Sequence, residues 1–393
     1  MSAISERDCT KQQRDALVKV ALKQLGARQL QNLLALLAVQ DLIAVRGDEF
    51  DADPWALCVR NGLVDLQTGR CRAAQPPDKL SLRAGTSFVA GAECPRWREF
   101  LHQIMEHDVD KVAFLQRLVG YLATGSTREQ VFAAFYGATG ANGKSVFARV
   151  VMHILDEYAL TLPFASFVGD GPQGSSATPD LAAMPGRRLV LASEARPRAK
   201  FDDARVKTLT GQDQVSARPL YGRPFTFTPL AKLLFVFNER PAVSDTTSAF
   251  WRRCLLVPFN RQFRDDEQDP NLLEKLLLES PGILNWTIQG ALEWQREGLN
   301  PPASVRSAVD EWRAESDVVA EFVTTGCESL NGHWTPAREM YAAFETWCER
   351  ERMDRRDRLG RKAFTGRLRG LARSARRADG MGFMDLKPIE VTK

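Results

Sequence analysis

The stretch 135-FYGATGANGKSVF-147 sets glycines at 137, 140 and 143 directly ahead of Lys144 and Ser145. The apolar run 131-VFAAF-135 before it suits a buried strand, and after it Val146, Phe147, Val150, Val151 and Ile154 recur at helical spacing. The glycines therefore fall on a strand-to-helix turn. Such a turn lets successive backbone N–H groups point at one anion, and the helix N-terminus adds a partial positive charge. A lysine at position 144 can reach the β- and γ-phosphates of ATP, and the Ser145 hydroxyl can ligate Mg²⁺. The segment reads as a P-loop whose nucleotide contacts are Gly137, Thr139, Gly140, Ala141, Asn142, Gly143, Lys144, Ser145 and Val146. The strict spacing G-x-x-x-x-G-K-[ST] asks for glycine at Ala138, whereas Gly137 stands one residue earlier.

Downstream, 187-RRLVLASEA-195 is a short apolar strand ending near Glu194, placed to orient or deprotonate an attacking water. Ser145 and Glu194 are the expected metal ligands; Ser193 stands where many P-loop proteins carry an aspartate, which leaves the metal's second ligand open. Residues 202–210 look helical, and 214-QVSARPLYGRPFTFTP-229 reads as a hairpin with its tip near Tyr221, Gly222 and Arg223. A second buried strand, 231-AKLLFVFNERP-241, ends at Asn238, which suits either a cap before the turn at Pro241 or a hydrogen bond to a γ-phosphate or lytic water. In 250-FWRRCLLVPF-259, Arg252 and Arg253 precede a last apolar strand; either lies on the surface or stabilises a transferring phosphoryl group, including one bound by a neighbouring subunit. The composition of 166-SFVGDGPQGSSATPDLAAMPG-186 predicts a mobile loop.

The 393 residues are too many for one ordinary domain. Net charge is +4, but residues 349–379 carry twelve Lys or Arg against five Asp or Glu, which leaves the remainder slightly acidic. That concentration suits a polyanionic partner at the C-terminal end. The seven cysteines are scattered and the four histidines lack ligand spacing, so neither a zinc cage nor a disulfide framework is signalled. The N-terminal stretch has no apolar core for a signal peptide, and 33-LLALLAVQDLIAV-45 is too short to span a bilayer. A cytoplasmic protein without membrane contact is expected.

Residues 12–45 read as helical, 58-CVRNGLVDLQTGRC-71 as a small β element with turns at Asn61-Gly62 and Thr68-Gly69, and residues 95–124 as helices. Beyond Pro301-Pro302, 334-WTPAREMYAAFETWC-348 predicts a helix with Thr335 as N-cap, Pro336 at its first position, and Met340, Tyr341, Phe344 and Trp347 as its apolar stripe. A basic helix follows, with Phe364, Leu368 and Leu371 facing inward and Arg361, Lys362, Arg367, Arg369 and Arg373 facing out; a hairpin then starts at Asp379-Gly380. Helix, helix, hairpin fits a winged helix whose basic helix lies along DNA, or else a solvated charged helix.

In sequence order, "GATGANGKSVF", "LVLASEA", "VKTLTGQDQVSARPLYGRPFTFTP", "KLLFVFNERP" and "FWRRCLLVPF" resemble the motifs of superfamily 3 helicases. The match is to the helicase part of phage and plasmid primase-helicases, related to the poxvirus enzyme, and it covers roughly residues 55 to 350. The resemblance implies an α/β fold with an AAA+-like ATPase core at 111–300, an N-terminal mostly helical collar with a small β element at 1–110, and a basic winged-helix-like domain at 301–393. It implies a ring, expected to be a hexamer, with ATP and Mg²⁺ bound between subunits. Lys144, Ser145, Glu194 and Asn238 would act from one subunit and Arg252 or Arg253 from the next. The Tyr221–Arg223 hairpin, flanked by Lys207 and Arg218, would grip single-stranded or forked DNA in the channel. The expected function is an ATP-dependent replication helicase of a phage, plasmid or other mobile element in the bacterial host cytoplasm, with a separate primase as a candidate partner. Primer synthesis is not carried over, because the roughly fifty residues before the matching region hold no paired-acid motif. Two rivals remain open: a nucleotide-sensing DNA-binding regulator, and a small-molecule kinase, which needs neither the hairpin nor the basic end.

Overall fold

The computed structural model describes residues 19–20, 26–37, 45–169, 177–193, 200–243, 247–353, 355 and 358–389. The chain divides into two compact units, Met1–Ala52 with Gln75–Ser81, and Asp53–Ala74 with Leu82–Lys393. In the first unit, of residues 12–45, which read as helical, Lys19, Val20 and helix α1 (Ala27–Leu37) are described as helix and Gly26 as a bend, and Asp51 accepts the Ser81 N–H at 3.0 Å. The rest is in the second unit.

That unit begins with a three-stranded antiparallel sheet, β1 (Ala56–Val59), β2 (Gly62–Asp65) and β3 (Arg70–Arg72), and the helices α2 (Pro95–Ile104) and α3 (Val109–Ala123). Then follow β4 (Phe132–Tyr136), α4 (Lys144–Leu155), β5 (Ala159–Thr161), α5 (Pro179–Ala182), β6 (Leu189–Ser193) and α6 (Asp203–Thr210). The hairpin strands β7 (Val215–Ala217) and β8 (Phe225–Phe227) precede β9 (Lys232–Phe237), α7 (Ser248–Trp251) and β10 (Cys254–Pro258). Helices α8 (Leu272–Leu277), α9 (Ser280–Glu297) and α10 (Ala303–Glu315) come next. The chain continues through α11 (Val318–Thr325), β11 (Cys327–Pro336), α12 (Ala337–Arg350), α13 (Arg361–Leu368), β12 (Ser374–Arg377) and β13 (Gly380–Pro388). Among the described residues no helix is long and apolar enough to cross a membrane.

The central sheet has the order β10-β4-β9-β6-β5 and is parallel throughout. Its strands are apolar on both faces, as a parallel sheet covered on both sides requires. On β9, Leu233, Phe235 and Phe237 join Phe132, Val190 and Leu256 in one core, while Leu234 and Val236 join Phe135, Leu191 and Val257 in the other. The second core also takes the inward faces of α3, α4 and α9. Helices α3 and α9 meet at Gly120 and Gly290: a Cβ on Gly120 would sit 2.0 Å from the Ala291 nitrogen, and one on Gly290 2.0 Å from the Gln116 carbonyl oxygen.

Two buried cations tie the lower edge of this sheet to the end of α3. Arg188, just before β6, donates to the Ala123 carbonyl at 2.7 Å and lies 4.4 Å over the Tyr158 ring. Lys232, at the start of β9, donates to the Thr124 carbonyl. The carbonyl end of a helix carries partial negative charge, which offsets the desolvation that lowers the Lys232 pKa.

The segment 166–186 departs from its expected looseness. Residues 170–176 lie outside the description, but Phe164–Phe167 forms a helical turn, α5 follows, and Phe167, Leu181 and Met184 are buried. These apolar side chains dock on the sheet, which a composition dominated by Gly, Ser and Pro conceals. Helix α10, beyond Pro301-Pro302, packs Ala308 and Trp312 into the core of the central sheet. A third core, built on Val319, Phe322, Met340, Phe344, Trp347, Phe364, Leu368 and Phe383, holds α11 to α13 and the sheet β11-β13-β12. Two local expectations are corrected there. Thr335 does not cap α12: it belongs to β11, its hydroxyl donates to the Leu386 carbonyl at 2.7 Å, and Pro336 takes the cap position. Leu371 is not on the inner face, because α13 ends at Leu368 and Leu371 is exposed.

Candidate functional site

Tyr136 ends β4 and pairs in register with Phe237, the end of β9. Gly137 and Asn238 therefore leave the carboxyl edge of neighbouring strands side by side, and Ser193 of β6 stands opposite Val236 on the other flank of β9. The carboxyl edge of an open parallel sheet is where ligands of such folds sit. Glu194, the residue after Ser193, lies outside the described residues.

The glycine loop closes on itself. Lys144 is 3% exposed, and its Nζ donates to the Gly137 carbonyl at 2.9 Å. Asn142, also buried, donates from Nδ2 to the Thr139 carbonyl at 2.6 Å. The segment after β10 braces the loop from outside: Phe259 N–H donates to the Tyr136 carbonyl at 2.7 Å and Phe263 N–H to the Ala141 carbonyl at 2.9 Å. Gly137 sits where these parts converge. A Cβ there would lie 2.4 Å from Asn142 Nδ2, 2.7 Å from the Phe259 oxygen and 2.8 Å from Lys144 Nζ. This close approach is the physical reason for glycine at 137, and the consensus spacing did not foretell it. Gly143 opens α4 at φ 83° and packs against Ile104, while Thr139, Gly140 and Ala141 are exposed, with Ala141 at φ 54°. Ser145 is exposed on the first turn of α4, and Val146 is half-buried against the core.

Burial pushes the Lys144 ammonium down to about 8. A buried cation held by a neutral carbonyl at a helix N-terminus fits a phosphate, which would supply the missing counter-charge. Among the described residues no group of three metal-ligating side chains occurs. The exposed Ser145 hydroxyl, on the first turn of α4, could ligate a Mg²⁺ carried in with phosphates.

Arg252 and Arg253, equivalent on paper, differ in structure. Arg252 is exposed at the end of α7. Arg253 is half-buried, donates from Nη1 to the Ala249 carbonyl at 2.8 Å, and is lowered in pKa by burial and then by Arg252.

The hairpin β7–β8 is present, with Ala217 paired to Phe225. Tyr221 is fully exposed at its tip with φ 60°, and Arg223 is exposed beside it. The backbone of Arg218 at its foot is pinned to Thr178, N–H to Oγ1 at 3.0 Å and carbonyl to Thr178 N–H at 2.8 Å. Lys207 is half-buried on α6. On the third core Arg361, Lys362 and Arg369 are exposed, but Arg367 is not free: its guanidinium grips Asp317, with Nε 2.7 Å from Oδ2. Asp317 is itself buried and caps α11 through the Ala320 N–H. Arg367 is therefore engaged in an ion pair within the fold rather than held out as a free surface cation; a partner fifty residues away gives no local signal.

The elements thus define an α/β protein with a glycine loop at the carboxyl edge of a parallel sheet. Residues 2–106 match the family described as D5 N terminal like, and residues 135–253 match a family of unknown function (DUF5906). A helicase-named protein of Acanthamoeba polyphaga mimivirus is 25% identical over 294 residues, covering 70% of this chain and 30% of that one. A helicase-named protein of Frog virus 3 (isolate Goorha) is 23% identical over 385 residues, covering 77% and 39%. The chain spans about a third of the length of the curated relatives it matches. The apo structure of the NrS-1 C terminal region is similar with a TM-score of 0.47 at 12% identity, covering 77% of this chain and 78% of that one. The chain resembles the helicase portion of D5-type primase-helicases, as the order of its motifs implied.

Proposed function

We propose that the chain is the motor portion of a replication helicase: a P-loop, AAA+-like ATPase that assembles into a ring, splits ATP with Mg²⁺ at subunit interfaces and moves on single-stranded DNA. The observation that carries this reading is the buried Lys144 cation, with Gly137 and Asn238 leaving the same edge of a parallel sheet beside it. When bound, the Mg²⁺–triphosphate supplies a phosphoryl group whose charge spreads as it transfers. Lys144 and the loop N–H groups bind that charge, Ser145 holds the metal, and Asn238 orients the γ-phosphate or the water. Glu194 takes the proton of that water. Arg252, exposed at the end of its helix, is better suited than Arg253 to reach a neighbouring subunit. The exposed Tyr221 and Arg223 suit stacking and backbone contact with a single strand, and the exposed arginines of α13 and β12 suit phosphate contacts in a winged-helix-like unit.

Lys144→Ala removes the cation and keeps a good helix former on the first turn of α4. It is expected to weaken binding of a fluorescent ATP analogue by about a hundredfold or more. Binding equal to that of the parent chain would remove the loop from the nucleotide site.

A further inference from the structure

The turn after β9 carries a second cation, Arg240, that phosphate chemistry does not use. Its guanidinium lies 4.4 Å over the ring of Tyr136, the residue directly before Gly137. Nη1 is 2.6 Å from Glu315 Oε1, and Nη2 is 3.6 Å from Glu311 Oε2. The two glutamates stand one helical turn apart at the end of α10, so one face of that helix holds the guanidinium. Both terminal nitrogens of the guanidinium thus face carboxylates, and its Nε is buried without a hydrogen-bond partner. Between the glutamates, Trp312 donates from Nε1 to the Pro241 carbonyl at 3.1 Å and sets its ring 5.6 Å from Phe237 and 5.4 Å edge-on to Trp251. Trp251 immediately precedes Arg252. The last turns of α10 therefore touch the exit of β9 and Trp251 at the end of α7, and they reach Tyr136 at the end of β4 through the Arg240 guanidinium. Two residues beyond α10, Asp317 takes Arg367 of the basic helix α13.

We propose that Arg240 is a positioning residue that couples occupancy of the glycine loop to the C-terminal basic unit through α10. A phosphate that draws Lys144 off the Gly137 carbonyl shifts the strand exit on which the Tyr136 ring sits, and the Arg240 pair hands that shift to α10 and on to Asp317 and Arg367. This rests on the nucleotide-driven reading above.

Coupling of this kind is measured by a double-mutant cycle. For the full chain, the quantity is the factor by which a non-hydrolysable ATP analogue changes affinity for a fluorescein-labelled single-stranded oligonucleotide. Glu315→Gln and Arg240→Gln are each expected to lower that factor by about threefold or more, and the double variant to lower it no further. Glu315→Asp should restore part of it, while analogue affinity itself changes less than about twofold. Glu315→Gln is safe to fold, because its side chain is 61% exposed. A factor unchanged in Glu315→Gln, or losses that simply add in the double variant, would overturn the coupling. A parent chain that binds the analogue with no effect on DNA affinity overturns the coupling alone; one that binds no analogue overturns the nucleotide reading with it.

Discussion

At Lys144 the chain buries an ammonium group opposite a carbonyl rather than a carboxylate, and burial lowers its pKa from 10.5 to about 8. The sign of the consequence follows from linkage. As pH rises through about 8 the empty loop loses its proton, whereas a bound phosphate favours the charged form and raises the pKa again. Nucleotide binding above that pH takes up a proton, so affinity should fall by up to about tenfold per pH unit from pH 8 upward and stay flat below it. Titrating the affinity of an ATP analogue between pH 6.5 and about 9.5 checks this, and Lys144→Arg, whose charge persists at every such pH, should flatten the profile. In the unliganded protein the same depressed pKa acts oppositely on stability: the unfolded chain binds the extra proton between about 8 and 10.5, so folding gains stability as pH rises through that window.

At the scale of elements, α13 separates two arginines that look alike in sequence. Arg367 neutralises the buried carboxylate of Asp317, while Arg369 is exposed one residue past the helix end. Removing one partner of a buried pair leaves an uncompensated charge, so Arg367→Ala should cost about 3 kcal/mol of stability. Arg369→Ala should leave the thermal midpoint unchanged and weaken DNA binding, with a shallower dependence on salt. Thermal unfolding and salt-titrated DNA binding of both variants check the pair; the opposite pattern would place Arg367 on the DNA. The same contrast marks what the sequence could yield. The strand-to-helix turn, the apolar runs of β4, β6, β9 and β10, and the hairpin at Tyr221 were legible, because periodicity and turn chemistry are local. The need for glycine at 137, the Arg240 cluster and the Thr335 hydroxyl bonded to Leu386 were not, because each depends on groups brought together only by folding.

Across the whole molecule, the carboxyl edge of a parallel sheet carries the glycine loop, while the hairpin tip and the basic C-terminal residues are exposed; on the proposed reading the first splits ATP and the others meet a polyanion. The central claim is that the first event drives movement along the second. The measurement that tests it most directly is steady-state ATP hydrolysis by the parent chain with and without single-stranded DNA, alongside Glu194→Gln. DNA should raise the parent rate several-fold, and Glu194→Gln should lower it by about a hundredfold or more while retaining nucleotide binding. A parent rate indifferent to DNA, or a Glu194→Gln variant that turns over ATP as fast as the parent, would contradict it.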